Sequence, residues 1–342
     1  MKELTIAAQR REESRIFFGR GVSSLVERAD FVITDSNVNR IYGDKIARWN
    51  APVFVMEAGE AHKNEETLFA ALEAMKNAGL TRGGTVLAFG GGVVGDLGGL
   101  ASALYMRGTD FVSVPTTLLA QVDASVGGKT AIDFCGVKNL VGVFRQPSRV
   151  YVDCGYLATL PEREIRCGLG EIVKHAALSG KLFDKLVSNK SRLFDLRFLE
   201  DTVLENIEYK AGVVRRDAFE AGARACLNLG HTTAHVYELA TELSHGECVL
   251  VGIIAEAEIA ARHCKADGAY LEELKSLARL ALGKAPKLPA AEEVAPLARL
   301  DKKNSKKDTV ALTVPVKRGE YEILQLPYEG YEKELKLTGE IL

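Results

Sequence analysis

The chain has 342 residues, 47% of them hydrophobic and 26% charged, with a formal net charge of −2. That length is too great for one ordinary core and suits two domains. The near-zero charge predicts no nucleic-acid partner and no anionic-membrane partner, so an anionic ligand must be met by a local group of Lys and Arg. The six cysteines are scattered without a CxxC pair, which predicts reduced thiols and a cytoplasmic protein. The N-terminal MKELTIAAQRREESR lacks the apolar centre of a signal peptide, and no apolar run reaches the length of a membrane span.

In chain order, residues 4–8 and 15–18 read as short strands around a polar turn. Residues 31–34 (FVIT) form a buried-type strand that ends at Asp35, and residues 52–56 form another, followed by a helical run through Ala78. Residues 85–89 (TVLAF) run into Gly90-Gly91-Gly92 and a helix through Met106. Residues 111–114 and 150–153 complete the strand set. Strands alternating with helical runs predict a parallel α/β sheet, whose ligands bind at the carboxyl ends of the strands. Asp35, Gly90 to Gly92, Thr116 and Thr117 fall at that end.

After Pro161 nearly everything to Arg299 has helical periodicity, in runs 165–178, 182–187, 201–216, 232–243, 249–266 and 271–282. The domain boundary is placed near residues 154–162. Residues 309–314 and 321–325 predict a late hairpin around Lys317-Arg318-Gly319.

Three of the six histidines, His231, His235 and His245, lie in NLGHTTAHVYELATELSHGE. His231 and His235 share a helix face at i, i+4, while His245 reads as part of a turn between Ser244 and Gly246. Imidazole is a common metal ligand, and a catalytic zinc takes three protein ligands, so this stretch could supply two or three of them. The helix start GLGEIVKHAAL places Glu171, Lys174 and His175 on one side; a carboxylate among apolar neighbours costs several kcal/mol to bury unless a charge or metal meets it. The glycine run at 90–95 lets backbone amides approach a phosphate, with Asp35 as a ribose acceptor or, equally, a helix N-cap. Residues 121–139 (QVDASVGGKTAIDFCGVKN) read as a polar loop poor in packing residues.

Together GGGVVGD, LYMRG, VPTTLLAQVDASVGGKT, KNLVG, CGLGEIVKHA, LNLGHTTAH and SHGE resemble 3-dehydroquinate synthase. The resemblance implies a Rossmann-like NAD-binding α/β domain over residues 1–157 and a mostly α-helical metal- and substrate-binding domain over 158–342. It implies conversion of 3-deoxy-D-arabino-heptulosonate 7-phosphate to 3-dehydroquinate and phosphate, by transient oxidation, phosphate elimination, reduction and aldol closure. The implied cofactors are NAD and one zinc or cobalt ion, and the implied assembly is a homodimer. Glu171, His231 and His245 would hold the metal, leaving His235 for proton transfer or substrate contact. Asp35, Asn37, Glu60, Lys63, Gly91, Gly92, Asp96, Thr116 and Thr117 would hold NAD, with Lys129 and Lys138 beside it. Asp123, Lys129, Lys174, Lys210, Arg224 and Asn228 would bind carboxylate and ring hydroxyls. Arg107, Lys138, Asn139 and Lys302 or Lys303 would meet the phosphate, Arg107 by reaching across a dimer interface.

The chain departs from the family pattern where Thr233 and Ala234 replace an aromatic and a glycine, where Ala218 follows Asp217 in place of an acid, and where Val137 replaces a glycine. A sister sugar phosphate cyclase and a metal-dependent NAD alcohol or glycerol dehydrogenase are the competing readings. Lys210, Arg224, Asn228 and His235 favour a substrate with a carboxylate.

Overall fold

The computed structural model describes residues 13–220, 222–300 and 309–339; the expected strand at 4–8 and both Lys302 and Lys303 lie outside them. The first half runs β1 (Arg15–Phe18), β2 (Phe31–Asp35), α1 (Ser36–Ala47), β3 (Val53–Met56), α2 (Glu65–Asn77), β4 (Thr85–Gly90), α3 (Gly92–Leu104), β5 (Asp110–Pro115), β6 (Lys129–Phe134), β7 (Val137–Phe144) and β8 (Arg149–Val152). Six of these strands form one sheet in the order β1-β8-β5-β4-β2-β3, parallel throughout.

β4 is buried at every residue, as a strand covered on both faces must be. Its Ala88 meets α3 so closely that a Cβ on Gly98 would sit 3.0 Å from the alanine methyl. Phe89 points the other way, edge-on to Tyr42 and Trp49 at 6.3 and 6.0 Å between ring centroids. Leu68, Ala71 and Met75 of α2 join Val94, Leu97 and Ala101 of α3 in one core against the sheet. The chain goes from β2 outward to β3, then returns past β2 to β4. The strand order therefore reverses between β2 and β4, the switch point at whose carboxyl ends parallel sheets bind ligands.

Residues 121–139 are not the loop poor in packing residues that their polarity predicts. Ala120–Ala124 form a π-helical turn with Gln121 fully buried, and Lys129 onward forms the antiparallel β6–β7 hairpin. Thr130 and Ile132 are the packed residues of that hairpin; a Cβ on Gly99 of α3 would overlap the Thr130 methyl.

The second half holds α4 (Glu162–Ala177), α5 (Gly180–Ser188), α6 (Leu196–Arg216), α7 (His231–Glu238), α8 (His245–His263), α9 (Gly268–Leu282), the short α10 (Ala291–Val294), the antiparallel pair β9 (Thr309–Lys317) and β10 (Glu320–Pro327), and α11 (Tyr328–Gly339). α8 is the core helix of this half, buried at almost every position from Gly246 to Ala260. His245 does not lie in a turn: it opens α8, behind a capping box in which the Ser244 hydroxyl accepts from the Glu247 N–H and the Glu247 carboxylate accepts from the Ser244 N–H.

The chain divides into two compact units. One ends at Thr116 and resumes over Gly127–Gly155; the other takes Thr117–Val126 and continues from Tyr156. Among the described residues no helix is long and apolar enough to cross a membrane.

Candidate metal centre and nucleotide cradle

The second unit brings α4, α7 and α8 together through glycines. A Cβ on Gly170 would overlap the backbone of Gly246, one on Gly246 would overlap the Cys167 carbonyl, and one on Gly252 would overlap the Gly230 carbonyl. Each of Glu171, His231 and His245 adjoins one of these glycines. Backbones this close let three short side chains reach one point.

Glu171 is fully buried, and its Oε1 lies 3.4 Å from His231 Nε2 and 3.2 Å from His245 Nε2. Ligand atoms of the three residues all lie within 4.8 Å of one another. The remaining nitrogen of each ring is engaged: His231 Nδ1 lies 3.2 Å from the Leu229 carbonyl, and His245 Nδ1 bonds the Glu238 carboxylate. Both partners are acceptors, so each Nδ1 carries the hydrogen and each Nε2 is turned toward Glu171. One divalent cation would satisfy this convergence of a carboxylate oxygen and two imidazole nitrogens, a donor set suited to zinc or cobalt.

Charge is divided unevenly among the three groups. Burial opposes ionisation of Glu171, yet Lys174 and then His231 hold its carboxyl well below the usual range. Burial, aided by Lys174, pushes His231 down to about 4. Burial also opposes a charge on His245, but Glu238 and Glu171 override it and raise the ring to about 10.

Beside this group Asp123, on the π-helical turn, accepts from Lys210 Nζ at 2.8 Å and Lys174 Nζ at 3.5 Å, with His175 Nε2 at 3.3 Å. Burial alone would raise Asp123; Lys174 and Lys210 draw it well below its ordinary value. Lys210 itself is pushed down to about 8, by burial against the pull of Asp123. Arg224 is buried, its guanidinium donating to the Ala218 carbonyl at 3.0 Å and its N–H to Asp217 at 2.9 Å. A backbone oxygen thus serves at Ala218, where the sequence lacks the expected acid. Asn228 ends the turn Ala223–Asn228. His235 stands edge-on to His231 at 5.7 Å and falls outside the three-donor group. Thr233 and Ala234 are buried, and Thr233 Oγ1 accepts from the hydroxyl of Tyr331 on α11 at 3.2 Å.

One residue, Glu238, escaped the sequence reading of the site, and His175 was read there without its partner. Glu238 follows His231 and His235 along one helix stripe, a signal that was readable. His175 is fully buried with Nδ1 3.1 Å from Asn206 Oδ1, a pairing that only the fold reveals.

In the first unit Gly91 is the N-cap residue of α3 and offers no side chain to its amides, and the first turn carries no acid. A Cβ on Gly95 would meet nothing within 4 Å. Open amides at a helix N-terminus with room above them fit a pyrophosphate. Asp35 caps α1, accepting from the Val38 N–H at 2.9 Å, while Asn37 is exposed. Lys63 is buried among Glu60 at 2.7 Å, Asp96 at 3.4 Å and Asp133 at 4.0 Å. Burial opposes the charge on Lys63, but Asp96 and Glu60 raise its pKa. Thr116 is buried and donates its N–H to the Gly90 carbonyl at 2.9 Å. Thr117 lies in the second unit, where its Oγ1 accepts from the Ala120 N–H at 3.2 Å.

Residues 53–167 match the family described as 3-dehydroquinate synthase N-terminal, and residues 168–304 match 3-dehydroquinate synthase C-terminal. The 3-dehydroquinate synthase of a Thermoanaerobacter species is 38% identical over 319 residues, covering 90% of this chain and 89% of that protein. The chain belongs to the 3-dehydroquinate synthase family.

Solved structures similar to this family member include two cyclitol synthases and, at lower TM-scores, reductases and alcohol dehydrogenases. The 2-epi-5-epi-valiolone synthase of Streptomyces hygroscopicus subsp. jinggangensis, with NAD+ and Zn2+ bound, has a TM-score of 0.88 and 25% identity over all of both chains. A 2-deoxy-scyllo-inosose synthase complexed with carbaglucose-6-phosphate, NAD+ and Co2+ scores 0.83 at 24% identity, covering 94% of this chain and 96% of its own, and shows the fold. Among the described residues, the remaining ones that the 3-dehydroquinate synthase pattern points to belong to the first unit. Lys129 is exposed on β6, Lys138 is half-buried and Asn139 exposed on β7, and Arg107 is exposed after α3. Arg107 and Asn139 both adopt positive φ, 65° and 50°.

Proposed function

We propose that the chain converts 3-deoxy-D-arabino-heptulosonate 7-phosphate to 3-dehydroquinate and phosphate. The convergence of Glu171, His231 and His245 beside the Asp123–Lys174–Lys210 cluster carries this reading. Held there by Glu171, His231 and His245, a zinc or cobalt ion would supply Lewis acidity toward substrate hydroxyls, and NAD would supply a reversible hydride acceptor.

The chain's own residues bind, orient and hold protons. Lys174 balances Glu171 and Asp123, so the charges offered to substrate are fixed before it arrives. Lys210 and Arg224, buried cations in a protein of net charge −2, meet the carboxylate. Asn228 takes a ring hydroxyl, and His235 moves a proton or contacts substrate beside His231. Arg107, Lys129, Lys138, Asn139 and Lys302 or Lys303 meet the phosphate and its surroundings. Gly91 and Gly92 offer amides to NAD at the α3 N-terminus, Asp35 and Asn37 border its ribose, and Glu60, Lys63, Asp96, Thr116 and Thr117 close the cradle. In this division residues 1–157 bind NAD, and residues 158–342 bind metal and substrate.

A sister cyclase is the second reading, favoured by the likeness to the valiolone synthase; the buried Lys210 and Arg224 favour the carboxylate substrate. The test is phosphate release from 3-deoxy-D-arabino-heptulosonate 7-phosphate, lost on chelation and restored by zinc or cobalt, with no accumulation of NADH. Release only from a heptulose phosphate lacking the carboxylate would select the sister activity, and accumulating NADH would select a dehydrogenase.

Six free cysteines support a cytoplasmic location. A homodimer is supported by exposed Leu104 and Met106 beside Arg107 and by exposed Leu140, Val141, Val143 and Phe144 on β7.

A further inference from the structure

α7 and α8 each begin with a ligand histidine, and each carries a buried carboxylate that reaches the other helix. Glu238, the last residue of α7, has a side chain only 4% exposed, and it accepts from His245 Nδ1 at the start of α8. Glu256, deeper in α8, is fully buried. One of its oxygens accepts from the Gly230 N–H and the other from the Thr233 N–H at 3.4 Å.

α7 needs that help. Gly230 stands at its N-cap with φ 78° and has no side chain to cap the amides, and no acid occupies the first turn. An uncapped helix start leaves its first N–H groups without intrahelical partners. Glu256 supplies the cap from a second helix. The approach is tight, since a Cβ on Gly230 would lie 2.8 Å from Ile253 Cγ1. A carboxylate buried at this position fixes the backbone that carries His231, as Glu238 fixes the ring of His245.

We propose that Glu238 and Glu256 form a reciprocal brace between α7 and α8 that presets His231 and His245 for one divalent cation. Both are positioning residues: Glu238 acts through the imidazole of His245, and Glu256 acts through the first turn of α7. The brace rests on Glu171, His231 and His245 being the metal ligands. Carboxylates that orient ligand histidines change metal affinity about 10–100-fold when removed.

The test uses the full chain stripped by chelator, titrated with cobalt(II) and followed by visible absorption. Zinc affinity is measured by competition, and the metal-free fold by thermal melting. Glu238→Ala should weaken both metals about 10–100-fold and shift the cobalt bands while metal-free melting holds. Glu238→Gln, whose amide oxygen still accepts from Nδ1–H, should recover most of the affinity. In the parent protein the Gly230 and Thr233 amides should exchange slowly with solvent before metal is added, and Glu256→Gln should speed their exchange and weaken cobalt binding. Parent-like cobalt affinity and spectrum in Glu238→Ala, or fast exchange at Gly230 and Thr233 in the parent, overturns the brace. His245→Ala separates the two ideas: parent-like cobalt binding in that variant removes the ligand reading itself, whereas its loss there beside unchanged Glu238→Ala removes the brace alone.

Discussion

His245 joins two carboxylates, Glu238 on one nitrogen and Glu171 on the other, so its loss affects more than a single contact. With a side chain 32% exposed at the start of a capped helix, it adds little to the core. His245→Ala should therefore abolish phosphate release while far-UV circular dichroism keeps the parent's shape; retained release would exclude His245 from the metal site. Lys210 gives a pH test. Burial pushes its ammonium down to about 8 against the pull of Asp123, so it is charged below that pH and neutral above it. An anionic substrate should bind less well as pH rises, with kcat/KM falling about tenfold per pH unit beyond about 8. Lys210→Arg, whose guanidinium keeps its proton, should move that limb to higher pH. An unmoved limb would assign the titration to another group. The structure groups the donor atoms of Glu171, His231 and His245. In the sequence, spacing alone pairs His231 with His235 on one helix face, and only the family resemblance turns the reading toward His245 and Glu171. Asp35 was not resolvable there, because a helix N-cap and a ribose acceptor place the same residue at the same strand end; the structure shows the cap.

At the scale of elements the glycine contacts decide. Gly246 sits against the Cys167 carbonyl, which is backbone and cannot rotate away. Gly246→Ala should cost roughly 1–3 kcal/mol or more, read as a lower denaturant midpoint of the metal-free protein, and should weaken metal binding by moving His245. Gly212→Ala is the contrast: its Cβ would meet only the end of Arg216 at 3.8 Å, so the α6 interior should gain up to about 1 kcal/mol. Equal midpoints for the two variants would disprove the close approach of α4 and α8. The same contacts explain what the sequence could show. FVIT and TVLAF announce strands because both faces of β2 and β4 are covered. β6 and β7 gave no such pattern, because most of β7 is exposed and its apolar residues do not alternate with polar ones. α10 and α11 were missed for a related reason. α10 is a single short turn, and α11 carries its charges around the few residues, such as Tyr331 and Leu335, that it buries.

For the molecule as a whole, ligands should divide between the two units. The proposed metal donors Glu171, His231 and His245 all belong to the second unit, and the glycine turn after β4 with Asp35 belongs to the first. A ligand that binds only the folded state stabilises what it touches, so bound segments should open less often and exchange their amides more slowly. Zinc or cobalt added to the stripped protein should slow exchange across Gly170 to Lys174, the start of α7 and the start of α8. NAD should slow exchange across Gly90 to Gly95 and the β2–α1 turn. The Thr117–Val126 excursion sharpens the test, because sequence position groups it with the nucleotide half while its contacts group it with the metal half. Asp123 lies there, joined to Glu171 through Lys174. Metal alone should therefore protect Asp123 and its neighbours. Protection of that segment by NAD and not by metal would contradict the assignment of substrate chemistry to the second unit.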